Sequence, residues 1–311
     1  MTPRPTPDTA GRFGDADLIG TLVAAWDRFW FTPASGRPLA AVRIGAAAIG
    51  LALWWSYAAD LQAWFGPAGL LPVDTVRQWR SPFGWSLFDH ASSAPLLATL
   101  FAALGMVFVL LLVGLGTPVV APLAALSWAS LLHRGPMLAG PADDCLSIIL
   151  WCLAIGPAGG HLSVDRWLRD RTGRPAPPRG ARARVAQGLL QVHASAITIG
   201  AIAAQLKGDA WWDGLAAWYL AAAPQGLVGG LLPLLDESEY LTNLITHGIT
   251  AFEVLFAAGL WFSSTQRLVA RVGLVGWPLV GLFAGMPLWG IAMALFGLPL
   301  AVGGGTASRR R

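Results

Sequence analysis

Four ionisable side chains belong to long apolar stretches of the sequence, where a charge is costly and therefore points to a function. Arg43 lies in the first stretch, Glu253 lies near the middle of a later one, and Asp143 and Asp144 begin another. Buried carboxylates can transfer protons, and one of the two aspartates is expected to cap its helix. The other is expected to face a cavity. Arg43 and Glu253 are candidate ligand-binding residues, or a buried pair that only fixes helix packing.

A further apolar stretch carries His193 and Gln205, with Lys207 just beyond it. His193 and Gln205 are twelve residues apart, roughly three helical turns, so they face similar directions. Lys207, His193 and the two aspartates are the candidate catalytic residues, although His193 is also typical of a hydrogen-bonded core histidine. Gln205 is a candidate ligand-binding residue. The spacing of histidines and acids matches no metal motif, so no metal site is predicted.

The composition decides which elements hold these residues. The chain has 311 residues, of which 55% are hydrophobic and only 12% charged, and its mean hydropathy is +0.57. Soluble domains carry about 25% charged residues, and apolar windows of about 20 residues match the thickness of a bilayer core. A soluble enzyme, a disordered chain and a disulfide-rich secreted domain are excluded. The composition predicts an integral protein of the cell membrane.

The predicted fold is all-α, a polytopic membrane bundle of about eight transmembrane helices. The run from Leu268 to Val302 is too long for one helix, and it is divided around Gly285-Met286-Pro287 into the last two spans. The other six predicted spans are 39–59, 94–115, 118–135, 143–160, 185–205 and 242–262.

The arginines predict the orientation. With both termini inside, the inner segments hold 16 arginines and the outer segments hold 4 basic residues, as the positive-inside rule expects. Seven of these arginines, with several prolines, predict a mobile cytoplasmic loop over 165–184. The basic residues are not interleaved with base-reading side chains, so nucleic acid is not a predicted partner. The bilayer is the expected partner.

Three regions are predicted. Residues 1–30 form a cytoplasmic segment with an amphipathic helix at the interface, 31–303 the transmembrane domain, and 304–311 a basic cytoplasmic tail. The outer loops 60–93 and 206–241 are rich in tryptophan. These tryptophans are typical of the aromatic belt at a membrane interface, or they cap a cavity open to the outer leaflet.

Several short motifs resemble a known family when taken in order. They are Phe31-Thr32-Pro33, Arg37-Pro38-Leu39-Ala40, Arg43-Ile44-Gly45, Trp54-Trp55, Trp64 to Pro72, Leu132 to Pro136 with Asp143-Asp144, Trp211-Trp212-Asp213-Gly214 and Phe252-Glu253. Together they resemble the HTTM (horizontally transferred transmembrane) domain, which is shared with vitamin K-dependent γ-carboxylases. The resemblance runs from about Phe31 to Leu300.

The resemblance implies a helical membrane bundle and, in the carboxylase branch, deprotonation of reduced vitamin K by a lysine. Such a lysine must be buried, so that its pKa falls well below about 10.4. Gln205 lies at that position and has no titratable nitrogen. Lys207 aligns with the position of that lysine only if a short gap is allowed in the comparison with the family. Glutamate carboxylation is therefore not expected, and vitamin K or another quinone is implied as a cofactor by the resemblance alone.

Two functions stay open at this point. The first is a membrane enzyme or maturation factor with an outer-leaflet cavity for a quinone-like, lipid-like or peptide substrate, lined by the candidate residues named above. The second is a non-catalytic module that binds a lipid or a partner; a transporter is a third alternative. The position of Lys207 separates them, because a buried amine beside an acid favours an enzyme, whereas an amine in outer water favours the module.

Overall fold

The computed structural model describes residues 15–81, 84–175 and 178–303, with side chains from Leu18 onward. Within these residues the protein is helical and has no strand; an isolated antiparallel bridge joins Ala34 and Gly180. The all-α class is therefore confirmed. The predicted tail 304–311 and residues 1–14 of the N-terminal segment lie outside the described residues.

A helix lies at each of the eight segments that the sequence marks as spans. They are α2 (Arg37–Ala58), α5 (Ala94–Val113), α6 (Thr117–Arg134), α7 (Pro141–Ile155), α9 (Ala181–Gln205), α13 (Glu239–Gly259), α14 (Gln266–Phe283) and α15 (Pro287–Val302). The shorter helices are α1 (Asp15–Phe31), α3 (Leu61–Phe65), α4 (Val73–Trp79), α8 (Val164–Arg171), α10 (Asp209–Trp212), α11 (Ala216–Ala222) and α12 (Leu232–Glu237). Two 3₁₀ turns cover Leu87–His90 and Gly229–Leu231.

Four of the described helices are long and apolar enough to cross a membrane, namely α2, α5, α9 and α13. The fourth predicted span, 143–160, ends as a helix at Ile155, because Gly156 and Pro157 follow and cannot continue it well. The last apolar run does turn at the predicted place. Gly285 has a φ of +68° between α14 and α15, a conformation that favours glycine.

Two buried tryptophans organise the core. Trp128 in α6 is fully buried, contacts the rings of Tyr57 and Phe108 edge-on, and donates from Nε1 to the carbonyl of Asp143 at 3.2 Å. Trp277 in α14 is fully buried and packs edge-on against aromatic rings of three neighbours, which are Phe252, Phe256 and Trp289. Aromatic pairs of this geometry stabilise beyond their buried area. The Trp128 cluster joins α2 to α6, and the Trp277 cluster joins α13 to α14 and α15.

One end of the bundle, here called the arginine-rich end, holds the connections 32–36, 114–116, 156–180 and 260–265. Arg43 is fully buried there and donates to the carbonyls of Leu111, at 2.9 Å, and Leu162. The Asp165 carboxylate accepts from the backbone amides of Gly116 and Thr117 at 2.7 and 2.8 Å, which stabilises the start of α6. These contacts fasten the segment after α7 to the turn before α6.

Positive charge is dense at this end. Burial lowers the pKa of His161, and the charges of Arg166, Arg37 and Arg169 lower it further. Nη1 of Arg166 lies 3.2 Å from Nδ1 of His161, so the neutral ring is a suitable acceptor for the guanidinium.

The loop predicted over 165–184 is partly helical. It contains α8 and the first residues of α9, and Arg184 donates from Nε to the carbonyl of Phe29 at 2.6 Å. The sequence predicted a loop throughout this stretch and did not predict these helical residues, because α8 is short and three of its eight residues are arginines. Its apolar residues Trp167 and Leu168 are both exposed. Mobility and a cytoplasmic position remain predictions for the stretch.

The opposite end of the bundle holds the connections 59–93, 135–140, 206–238 and 284–286. The 59–93 segment folds back onto α6, because the buried Arg134 donates to the carbonyl of Leu71 at 2.8 Å. Oγ of Ser86 donates to the carbonyl of Ser130 at 2.7 Å. The 206–238 segment is held by α13, since Thr246 donates to the carbonyl of Gly214 at 2.8 Å.

Helix α1 contains the predicted amphipathic segment and begins earlier, at Asp15. Its Phe29 stacks on Trp261 with ring centroids 5.5 Å apart, while the other side of the helix is apolar and exposed. The exposed residues are Leu18, Ile19, Leu22, Val23 and Trp26. An interfacial position for this helix remains a prediction.

Candidate functional site

A cavity of about 270 Å³ opens where α2 ends, beside α3 and the start of α7. It is named here the Tyr57–Asp143 cavity, after the two side chains that meet in its wall. Its lining residues are Leu53, Ser56, Tyr57, Asp60, Trp64, Leu138 and Asp143. The cavity combines aromatic rings with carboxylates at one end of an apolar bundle, and ligand sites share such a mixture of apolar and polar groups.

Asp143 connects the cavity wall to helix α7. It is 5% exposed, and its Oδ2 accepts from the backbone amide of Gly140, the residue before α7, at 2.8 Å. Its Oδ1 accepts from the hydroxyl of Tyr57 at 3.2 Å. The sequence predicted one aspartate as a cap and the other as a cavity residue. Asp143 does both, because its two oxygens point to different partners, and Asp144 is exposed.

Tyr57, Asp60 and Trp64 were not singled out as site residues from the sequence. Tyr57 also donates to the carbonyl of Leu138 at 3.3 Å, so its hydroxyl is shared between two acceptors. The three residues are spaced by three and four along the chain, which places them on one side of a helix. That spacing next to an aromatic run was the available signal, although α2 ends at Ala58 and α3 starts anew.

A second polar cluster joins α9 to α13. Nε2 of Gln205 donates to Oε2 of Glu253 at 2.6 Å, and the hydroxyl of Thr250 donates to Oε1 of Gln205 at 3.0 Å. Glu253 is 2% exposed. The residue at the position that the resemblance assigns to a base is therefore an amide, held by a buried carboxylate. Gln205 and Glu253 are the pair of sequence-predicted candidates that the structure joins by a hydrogen bond.

Replacing Gln205 by alanine is expected to destabilise the protein by about 1–3 kcal/mol, because the buried Glu253 loses its donor. The double variant Gln205→Ala, Glu253→Ala is expected to recover part of that loss, since no carboxylate is then left without a partner. Thermal unfolding in detergent measures both. A double variant whose loss equals the sum of the two single losses would show that the pair is not coupled.

The remaining candidates lie apart. Arg43 is bound to backbone carbonyls at the arginine-rich end and does not meet Glu253, so the suggested pair of these two residues is not formed. His193 is half-buried, and its Nδ1 lies 2.8 Å from the carbonyl of Leu189 in its own helix. This contact is typical of a core histidine. Lys207 is exposed.

The tryptophan-acid-glycine motif forms a turn. Gly214 has a φ of +75°, and a Cβ there would lie 2.0 Å from Oδ1 of Asn243, so only glycine fits. Thr246 of α13 is fully buried and accepts from the amide of Ala217 at 3.0 Å. The motif thus shapes the 206–238 segment.

The side chains at Gln205 do not fit the chemistry of reduced vitamin K. Deprotonation of a hydroquinone needs a base that can be neutral, and Gln205 is an amide that already donates to Glu253. Lys207 is exposed and lies two residues beyond the end of α9. Within the described part of the chain, no group of three or more His, Cys, Asp or Glu side chains is placed to hold a metal ion.

Comparison with models of protein families, with curated proteins and with solved structures finds no match to this chain.

Proposed function

We propose that this chain is an eight-span protein of the cell membrane that binds a ligand in the Tyr57–Asp143 cavity without transforming it. The observation that carries the proposal is Asp143, a carboxylate that is 5% exposed and contacts a tyrosine hydroxyl in the wall of a 270 Å³ cavity. A buried carboxylate is costly, so its place in a cavity wall is better explained by a ligand than by stability alone.

The eight spans and their orientation are supported by sequence and packing together. The shorter helices α6, α7, α14 and α15 pack against the longer apolar ones, since α6 contacts α5, α7 contacts α2 and α9, α14 contacts α13, and α15 contacts α2 and α9. Most arginines lie at one end of the bundle, which supports a cytoplasmic position for that end by the positive-inside rule. The cavity then opens towards the outer leaflet, where lipid headgroups and lipid-like or quinone-like molecules are available.

A fold similar to the HTTM domain belongs to this proposal. The motifs that carry the resemblance occupy structured positions, since Trp64 lines the cavity and Gly214 makes the turn of the tryptophan-acid-glycine motif. A binding module is favoured over an enzyme because Lys207 is exposed and Gln205 is bound to Glu253. A maturation or carrier role would use the same cavity.

Native mass spectrometry of the protein extracted from membranes tests the binding function. We expect a retained lipid-like ligand in the wild type and its loss in Ser56→Trp, because the indole fills the cavity that Ser56 lines. Ala52→Trp is the matched control, since Ala52 is exposed on the same helix one turn earlier. Equal retention by both variants, or no ligand in the wild type, would contradict the proposal.

Glutamate carboxylation is expected to be absent. Reconstituted protein given reduced vitamin K, labelled CO₂ and a glutamate peptide should yield no labelled product, because the base position is an amide. The Lys207→Ala variant should behave as the wild type does. Labelled product that disappears in Lys207→Ala would show that this lysine is a base and would overturn the non-catalytic assignment.

A further inference from the structure

The polar groups that line the Tyr57–Asp143 cavity are mainly acceptors. Asp60 and Asp143 contribute carboxylates, and Leu138 contributes a carbonyl that already accepts from Tyr57. The lining contains no arginine, lysine or histidine. Among the ion pairs of the described residues, neither Asp60 nor Asp143 takes part. The cavity therefore presents carboxylates that no basic side chain of the described residues pairs with.

The cavity also has two aromatic residues in its lining, Tyr57 and Trp64. The electron-rich faces of such rings attract cations, most strongly for tryptophan, and aromatic surroundings combined with carboxylates recognise organic ammonium groups. A neutral or anionic ligand would gain no charge attraction from the two carboxylates, although it could still pack against the rings.

A bare divalent ion fits the cavity less well. Calcium takes six to eight oxygen ligands, whereas the lining offers two carboxylates. Both oxygens of Asp143 already accept a hydrogen bond, from the Gly140 amide and from the Tyr57 hydroxyl. Aromatic side chains are not ligands for such ions. An ammonium group needs only a few acceptors for its N–H donors and has apolar carbon for the rings to contact.

We propose that the Tyr57–Asp143 cavity binds a primary ammonium group, held by the carboxylates of Asp60 and Asp143 and by the rings of Tyr57 and Trp64. This inference rests on the proposed binding function and names the ligand chemistry of the same cavity. The ammonium group is carried either by the headgroup of phosphatidylethanolamine or by a free small amine. The cavity lies at the end of α2, so in the proposed topology it stands at headgroup depth.

The test uses full-length protein in nanodiscs that contain equal amounts of phosphatidylethanolamine and phosphatidylglycerol. The protein is transferred to detergent, and retained lipids are identified by native mass spectrometry. Asp60→Asn and Asp143→Asn each remove one charge while keeping an acceptor oxygen. Asp144→Asn is the matched control, because it removes the same charge from the next residue, which is exposed and outside the lining.

We expect the wild type and Asp144→Asn to retain phosphatidylethanolamine in preference to phosphatidylglycerol. Asp60→Asn and Asp143→Asn should weaken that retention about tenfold or more, the effect of losing one charge-assisted hydrogen bond. Asp60 is exposed, so its variant remains informative if Asp143→Asn fails to fold. Excess free ethanolamine that displaces the lipid would assign the site to soluble amines, and failure to displace it would assign the site to the lipid.

Equal retention of the two lipids by the wild type would overturn the ammonium inference, as would wild-type retention by Asp60→Asn. If the wild type retained both lipids equally and Ser56→Trp abolished that retention while Ala52→Trp did not, the proposed binding function would stand without the ammonium inference. If Ser56→Trp and Ala52→Trp retained every lipid equally, both the proposed binding function and the ammonium inference would be overturned.

Discussion

Replacement of Arg43 by alanine is expected to destabilise the protein by about 3 kcal/mol or more, since two charge-assisted hydrogen bonds of roughly 1.5–3 kcal/mol each are lost. Arg43 is fully buried and donates to the carbonyls of Leu111 and Leu162. Its guanidinium also fills the space beside Gly114, where an added Cβ would lie 1.8 Å from Nη1. Alanine leaves a cavity and two carbonyls without their donor.

Arg37→Ala is the matched control for Arg43→Ala, because Arg37 lies in the same helix and is exposed. Its effect should stay within about 0.5 kcal/mol. The loss of stability in Arg43→Lys should lie between those of Arg43→Ala and Arg37→Ala, because an ammonium lacks the planar geometry with which a guanidinium bridges both carbonyls. Thermal unfolding in detergent measures the series. Similar losses for Arg43→Ala and Arg37→Ala would contradict the assigned role of Arg43.

Replacement of Gly290 by leucine is expected to separate α14 from α15 and to cost of the order of 3 kcal/mol. A Cβ at Gly290 would lie 2.5 Å from the carbonyl oxygen of Trp277, and one at Gly281 would lie 2.8 Å from the Cα of Gly290. Such close backbone approach through small residues is typical of helix pairs in membranes. In both cases the contacting atom belongs to the backbone, which cannot move aside as the end of a flexible side chain can.

Gly200→Leu is the control for this variant, because a Cβ at Gly200 would meet nothing within 4 Å and the residue is exposed on α9. In a bilayer, leucine there should be neutral or favourable, since it adds apolar surface facing lipid. Unfolding and size-exclusion behaviour of the two variants give the comparison. A Gly290→Leu protein that behaves like Gly200→Leu would show that α14 and α15 do not pack as described.

The sequence predicted local features well. Length and hydropathy placed helices at the eight expected segments, and the turn around Gly285 followed from glycine and proline chemistry. The helix α8 was missed, because eight residues with three arginines show little apolar periodicity. The end of α7 at Ile155 was placed too late, since the apolar run continues beyond Gly156 although the helix does not.

Long-range contacts could not be predicted from one sequence. Tyr57 and Asp143 are 86 residues apart, and Gln205 and Glu253 are 48 apart. Periodicity shows which side of a helix is polar but not which helix it meets. For this reason the candidate residues were expected around one cavity, whereas they divide between the Tyr57–Asp143 cavity, the Gln205–Glu253 pair and the arginine-rich end.

The proposed topology is a membrane-embedded bundle whose Tyr57–Asp143 cavity opens outside the cell and whose arginine-rich end lies inside. Labelling of single introduced cysteines in intact cells with a membrane-impermeant maleimide tests it most directly. Cys145 and Cys152 are 3% and 2% exposed, so their background is low. Ser92 and Thr172 are exposed at opposite ends of the bundle. We expect Ser92→Cys to be labelled in intact cells and Thr172→Cys to be labelled only after permeabilisation. The reverse pattern, or labelling of both in intact cells, would contradict this topology.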